Sequence, residues 1–553
     1  MKNTLFKNVP IPTPSKSSFD LSHEVKLTGK IGRLIPIYWQ DCVPGDSFRI
    51  KNEVLVKFAP ILAPILHRVD VFTHSFFVPY RLLMNDTQGS AAGWEGFITG
   101  DPEGNYVTEE LPYITISNAN KAYFVPGTLN DYLGLPVIEN TTTVTQDIDI
   151  NCLPHYAYHF IYNEYYRDQN LISKVTSAST GAGGDIHLIG GDQNGKIMDI
   201  CSLRVRAYEK DYFKGALPTA YFTAGGDVEL DLDWSGGLGA TRVHNANTGA
   251  ALVVGSPTSI DVDANGRMEV AGQDVFLTSS SSTVDYPVAT LEILELRRAQ
   301  ALTRFLEAEN RGGHRYKEML LGVWGVNSQD ARLDRPEYIG GGRQAVQVST
   351  VLNQSSTLDP TAGVNDGAGG VPVTIDPQSL ETGRALSVGQ NNRAQVNVKE
   401  HGIIMTIMSV LPRTAYGGAR IEKFWRKADR TDFFVPQLQG IGDQEILQSE
   451  IGYDATGTDA DNVFGYAPRW SEYKFKDSTV HGEFLTTLDY WHMAEIGDTS
   501  GAGPDLNQAF IECNNTDDNN ERIFAVTGGQ TLYCQIYNEV KAIRPMRTFD
   551  IPS

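Results

Sequence analysis

The sequence predicts a large, mainly β protein in which many short antiparallel strands are joined by long loops. Three observations lead there. Glycine (53), proline (26), tyrosine (24) and phenylalanine (23) are abundant among 553 residues, a mix that favours strands and turns over long helices. Short runs with two-residue alternation, or with no polar residue at all, recur between turn signals. The chain also exceeds the roughly 250–300 residues that one plain core supports. It therefore holds either several domains or one core with large insertions.

Residues 1–20 read as an extended arm, because Pro10, Pro12 and Pro14 prevent regular helix. Ser22-His23-Glu24 follows. Adjacent side chains diverge along the backbone, so this is a turn or cap and not a catalytic triad. Leu34 to Pro79 is strand territory, with Val43-Pro44-Gly45-Asp46-Ser47 as a turn. Phe48, Ile50, Val54, Val56 and Phe58 alternate with polar residues, and Val69–Pro79 is a further strand. Leu153–Leu171 is an aromatic helix with Tyr158, Ile161, Tyr162 and Tyr165 at helical spacing.

The clearest helix is expected from Leu291 to Leu306, stopped by Gly312-Gly313 and followed by a second apolar run, Met319–Val326. Gln344–Val351 is a strand candidate, and Asp359–Asp376 is a loop. Ile403–Val410 is apolar at nearly every position, as in a strand buried on both faces. Tyr473 and Phe475 alternating with Lys474 and Lys476 predict another strand start. Leu532–Val540 is the last strand, with Leu532, Cys534 and Ile536 on one face.

Formal net charge is −21. A protein that coats nucleic acid with its whole surface is basic, so any such contact here is confined to a local patch. Between Asp101 and Asp285 acids outnumber bases by more than two to one. The two termini are richer in bases, which makes Lys541, Arg544 and Arg547, then Lys2 and Lys7, the candidate nucleic-acid contacts. The five cysteines contain no CxxC and read as reduced, mostly buried thiols. The N-terminal segment has no apolar run fit for a signal peptide, and no stretch approaches a membrane span.

Signals for chemistry are weak. There is no phosphate loop, HExxH or GxSxG. His155 and His159 sit at i and i+4 but lack a nearby third ligand, so they read as packed or surface histidines. Asp261, Asp263, Asn265 and Gly266 match the first half of a calcium loop, yet position twelve is Gly272 instead of glutamate. The same residues read as a plain hairpin turn. No cofactor is expected.

Ordered motifs add a family resemblance. RGGHRYKEML followed by GVWGVNSQDARLDRPEYIGG, SSFDLSHE near the start, AYHFIYNEYYRDQNL, EHGIIMTIMSVLPR and FGYAPRWSEYK leading to VHGEF resemble the Microviridae major capsid proteins, especially the gokushovirus-like group. The resemblance implies a viral jelly roll, an eight-stranded antiparallel sandwich, spanning residues 21–553 as one domain with insertions. It implies a non-enzymatic protein that assembles with itself into a T=1 icosahedral shell around circular single-stranded DNA. The implied partners are a small basic internal DNA-binding protein, a pilot protein, a scaffolding protein and an unnamed host receptor. Assembly in the bacterial cytoplasm and residence in the virion follow. Residues 221–286, rich in Gly and Ser, are the candidate for the family's surface protrusion, or else a β-rich excursion without a receptor role. The alternative from another class is a carbohydrate-binding jelly roll, lectin-like or glycan-degrading, since Tyr and Trp stack on sugars.

Overall fold

In the computed structural model the described residues are 15–84, 94–99, 111–175, 191–219, 326–352, 357–358, 374–375, 381–438, 442–453, 461–497, 504–513, 518–526 and 528–548, with short stretches between 242 and 324. Two compact units are present, one of residues 1–221 and 326–553, the other of residues 222–325.

Ten strands of the larger unit carry the argument. They are β1 (Ser17–Asp20), β2 (His23–Gly29), β3 (Ile35–Cys42), β4 (Ser47–Phe58), β5 (Val69–Pro79), β6 (Glu337–Ala345), β7 (Gln347–Leu352), β8 (Glu381–Asn397), β9 (Gly402–Pro412) and β10 (Leu532–Arg544). The first sheet runs β1/β2–β10–β4–β8–β7, and the second runs β6–β5–β9–β3. Every neighbouring pair is antiparallel. The chain crosses between sheets from β2 to β3, β3 to β4, β4 to β5, β6 to β7, β8 to β9 and β9 to β10. This alternation is the jelly-roll order, as expected. The last residues of the expected arm form β1, and a turn through Ser22, whose amide donates to the Asp20 carboxylate at 3.0 Å, leads into β2.

Two-residue alternation places the core. In β10 the inward side chains Leu532, Cys534, Ile536, Val540 and Ala542 are buried against Val54, Val56, Ile35 and Val410 or against Phe48, Ile50, Phe77 and Ile404. Burying each large aliphatic contributes about 1.5–3 kcal/mol. Asn538, Asn52 and Asn392 lie side by side across β10, β4 and β8, all buried. Asn392 Nδ2 donates to Asn52 Oδ1 at 2.7 Å, Asn52 Nδ2 donates to Asn538 Oδ1 at 2.5 Å, and Asn538 Nδ2 reaches the Ile37 carbonyl of the other sheet at 3.2 Å. A one-residue slip would break this ladder and turn the core side chains outward, so it fixes register.

The two middle strands of the second sheet, β5 and β9, are covered on both faces. Every residue of β9 is buried. Its second face, with Phe76 and Val78 of β5, packs on Tyr156, Tyr158 and Ile161 of helix α1 (Leu153–Ile161). The uninterrupted apolar run of β9 is thus the mark of a strand between two layers. The first sheet has no such cover among the described residues, and its outward side chains are half-buried or exposed.

One strand expectation is corrected. Tyr473 and Phe475 do not open a strand: Ser471–Tyr473 is a single 3-10 turn, and the strand there is the earlier Val463–Pro468. Trp470, at φ +61°, turns the chain out of the sheet. Of the expected helix Leu291–Leu306, only Arg297, Arg298 and Ala301 are described, all helical; the rest and Gly312-Gly313 lie outside the described residues, and Tyr316–Trp324 forms a helix. Within residues 222–325, four short strands make an antiparallel sheet. Ile260–Val262 pairs with Met268–Val270 as a hairpin. Asp263 and Asn265 lie outside the described residues, and the side chain of Asp261 is likewise not described.

Candidate nucleic-acid interface

The bare face of the first sheet is built by the same alternation that buries its other side. β10 turns Tyr533, Gln535, Tyr537, Glu539 and Lys541 outward. β4 turns out Arg49, Lys51, Glu53, Leu55 and Lys57. Register sets Lys541 opposite Arg49 and Arg49 opposite Gln395, then Glu539 opposite Lys51 and Lys51 opposite Arg393, and at the far end Tyr533 opposite Lys57. Lys26 of β2 stands opposite Gln535, and Arg384 of β8 extends the face.

The face is a basic surface on an acidic chain. Lys26, Arg49, Lys51, Lys57, Arg384, Arg393 and Lys541 share it with four carboxylates, Asp20, Glu24, Glu53 and Glu539. Some cations are neutralised locally: Lys51 lies 2.9 Å from Glu53 and 3.7 Å from Glu539, Lys541 lies 3.5 Å from Glu539, and Lys26 lies 3.7 Å from Glu24. The hydrogen bond from Lys51 to Glu53 raises the Lys51 pKa above its usual value. Arg49, Lys57, Arg384 and Arg393 have no ion-pair partner among the described residues. Tyr533 and Tyr537 are about 40% exposed and lie four residues apart on one strand, roughly 13 Å. Unpaired cations around exposed aromatic rings suit a phosphate backbone with unpaired bases.

The terminal candidates separate. Lys541 belongs to this face, and Arg547 is exposed just beyond β10. Arg544 is engaged inside the fold: its guanidinium lies 3.3 Å from the buried Asp46 carboxylate, donates to the Asp41 carbonyl and sits over the Phe48 ring. Lys2 and Lys7 lie outside the described residues. Arg49, Lys51 and Lys57 escape a count of terminal charges, although their odd-numbered spacing in SFRIKNEVLVKF marks them as the solvent side of one strand.

The remaining candidates are structural. His155 and His159 are buried in α1: His155 Nε2 bonds Asn130 Oδ1 at 2.7 Å, and His159 Nε2 bonds the Ile200 carbonyl at 2.8 Å. Burial lowers their pKa values to about 4 and about 3. No group of three His, Cys, Asp or Glu suited to a metal occurs among the described residues. All five cysteines are buried and free. No described helix is long and apolar enough to cross a membrane.

A two-sheet jelly roll with long insertions is an architecture of viral capsid proteins. The model of the capsid protein (F protein) family matches residues 8–553. The chain belongs to this family, the major capsid proteins of the Microviridae, and it is a structural protein of the phage virion, not an enzyme. It is 30% identical to the capsid protein VP1 of Bdellovibrio phage phiMH2K, covering 99% of this chain and 97% of that protein. It is 29% identical to VP1 of Chlamydia phage 1, covering 100% and 98%. With VP1 of Spiroplasma virus 4 it shares 26% identity over 89% of this chain and 86% of that one. The carbohydrate-binding alternative finds no support.

Proposed function

We propose that this capsid protein builds a small T=1 icosahedral shell around circular single-stranded DNA, with the bare face of its first sheet turned toward the genome. The observation that carries the reading is the contrast between the two sheets. The middle strands of one are covered on both faces, while the other presents Arg49, Lys57, Arg384, Arg393 and Lys541 to solvent on a chain of net charge −21. Arg547 and the N-terminal Lys2 and Lys7 extend this contact, and Arg544 supports it by holding the end of β10. A shell this acidic needs further cations inside, which fits a small basic internal DNA-binding protein. A pilot protein, a scaffolding protein and a host receptor complete the partners. Residues 221–286 form the surface protrusion, and assembly takes place in the bacterial cytoplasm.

Each neutralised phosphate contributes about 0.7 to the slope of log affinity against log salt on single strands. Replacing Arg49, Lys57 and Arg393 by Gln is therefore expected to lower that slope by about 2. Filter binding of the free subunit to a single-stranded oligonucleotide across a salt series measures it. An unchanged slope refutes the assignment of this face.

A further inference from the structure

A second surface differs from the sheet face in both shape and charge. The turn Lys423–Arg426, the following segment to Leu438 and the turn Ser471–Tyr473 expose six large aromatic side chains together. Trp425 is 76% exposed, and Phe424, Phe433, Phe434, Tyr473 and Phe475 are between 45% and 60% exposed. Five of them fall into two linked groups. Phe424 and Trp425 are in ring contact at 5.7 Å, Phe434 meets Trp470 at 5.3 Å and Tyr473 at 6.5 Å, and Lys427 links Phe433 to Tyr473 at 5.5 and 4.1 Å.

The patch is held in shape. The Asp432 carboxylate accepts from the amides of Ala428 and Asp429 at 3.0 and 2.8 Å, which fixes the loop between Trp425 and Phe433. Five of its cations are paired within the chain, while Arg430, Arg469 and Lys474 have no ion pair among the described residues. Lys427 lies 2.9 Å from Glu472, Lys476 lies 3.2 Å from Glu422, Arg420 lies 3.4 Å from Asp477, Lys423 lies 3.6 Å from Glu450, and Arg426 is paired with Asp461. The six exposed rings outnumber these three unpaired cations, so the surface suits an apolar protein partner better than a phosphate backbone.

The size also fits a protein partner. At 150–250 Å² per aromatic side chain, the exposed ring surface is roughly 700 Å². The sum is close to the roughly 800 Å² that each partner gives to a standard interface. We infer that the Phe424–Phe434 and Tyr473–Phe475 patch is a subunit contact, covered by a second copy of this chain. The inference rests on the shell reading and names which surface closes the shell.

Hydroxyl-radical footprinting of full particles, particles emptied of DNA and dissociated subunits tests it. Oxidation of Trp425 and Phe424 is expected to fall at least tenfold in both kinds of particle relative to subunits. Equal oxidation in particles and subunits overturns the inference. Protection that vanishes in emptied particles assigns the patch to nucleic acid and overturns it as well. Two variants complete the test: Trp425→Glu is expected to keep the subunit's circular dichroism and urea midpoint but not to assemble, while Trp425→Phe assembles. A folded Trp425→Glu subunit that assembles like the wild type overturns the inference while leaving the shell reading intact. A wild-type chain that forms no particles in infected cells refutes the shell reading itself.

Discussion

Replacing Arg544 by Ala separates a structural cation from a DNA-binding one. Asp46 lies in the turn between β3 and β4, its side chain is fully covered, and it accepts from the Val43 amide at 3.0 Å. Burial raises its pKa, and the Val43 hydrogen bond and the Arg544 charge pull it back. Removing the guanidinium leaves a covered carboxylate with one amide, at a cost of about 2–4 kcal/mol near pH 7. The sign of the pH dependence follows from linkage. Without the cation the folded-state pKa of Asp46 rises further above its unfolded value. The variant is therefore penalised where the unfolded state has the carboxyl ionised, above about pH 4, and the penalty fades as the pH falls and the folded state takes up the proton. Urea unfolding of free wild-type and Arg544→Ala subunits at pH 7.5 and pH 4.5 is the assay. The stability difference is expected to shrink by at least half at the lower pH. A variant as stable as wild type at pH 7.5 but with a weaker salt dependence of DNA binding refutes the structural assignment.

Three further outcomes are expected. Asn52→Ala breaks the ladder at its middle, leaves Asn392 and Asn538 short of a partner, and is expected to cost about 1–3 kcal/mol in urea unfolding. Gly45→Ala meets only side-chain atoms at 3.7–4.0 Å, but its φ of +95° disfavours any side chain; a loss of about 1–2 kcal/mol is expected, with near-native spectra. Burial lowers the pKa values of His67, His74 and His155 to about 4 and that of His159 to about 3. The unfolded chain takes up these protons from about pH 6.5 downward and the folded chain does not. Subunit stability is therefore expected to fall steadily from pH 6.5 to pH 4, with His155→Gln flattening part of that slope in pH-dependent unfolding.

What the sequence made legible was whatever depends on one strand at a time. The solid apolar run of β9 and the alternation of β10 each state how many faces are buried, because the side-chain period of a strand is two. What stayed hidden depends on pairing across hundreds of residues. Arg393 stands beside Lys51, and Lys51 beside Glu539, only because β8, β4 and β10 are neighbours. A charge count along the chain cannot find a face assembled from three distant segments, and so it favoured the termini. The same reason explains Arg544, which reads as a free terminal cation in the sequence because its partner Asp46 is distant along the chain. The Tyr473–Lys476 alternation failed differently. It had the period of a strand, but Trp470 in the left-handed region turns the chain away, and Lys427 holds Tyr473 by a 3.0 Å hydrogen bond and a ring contact instead of a ladder. The residues that broke the strand rule are those that leave Tyr473 and Phe475 exposed in the proposed subunit contact.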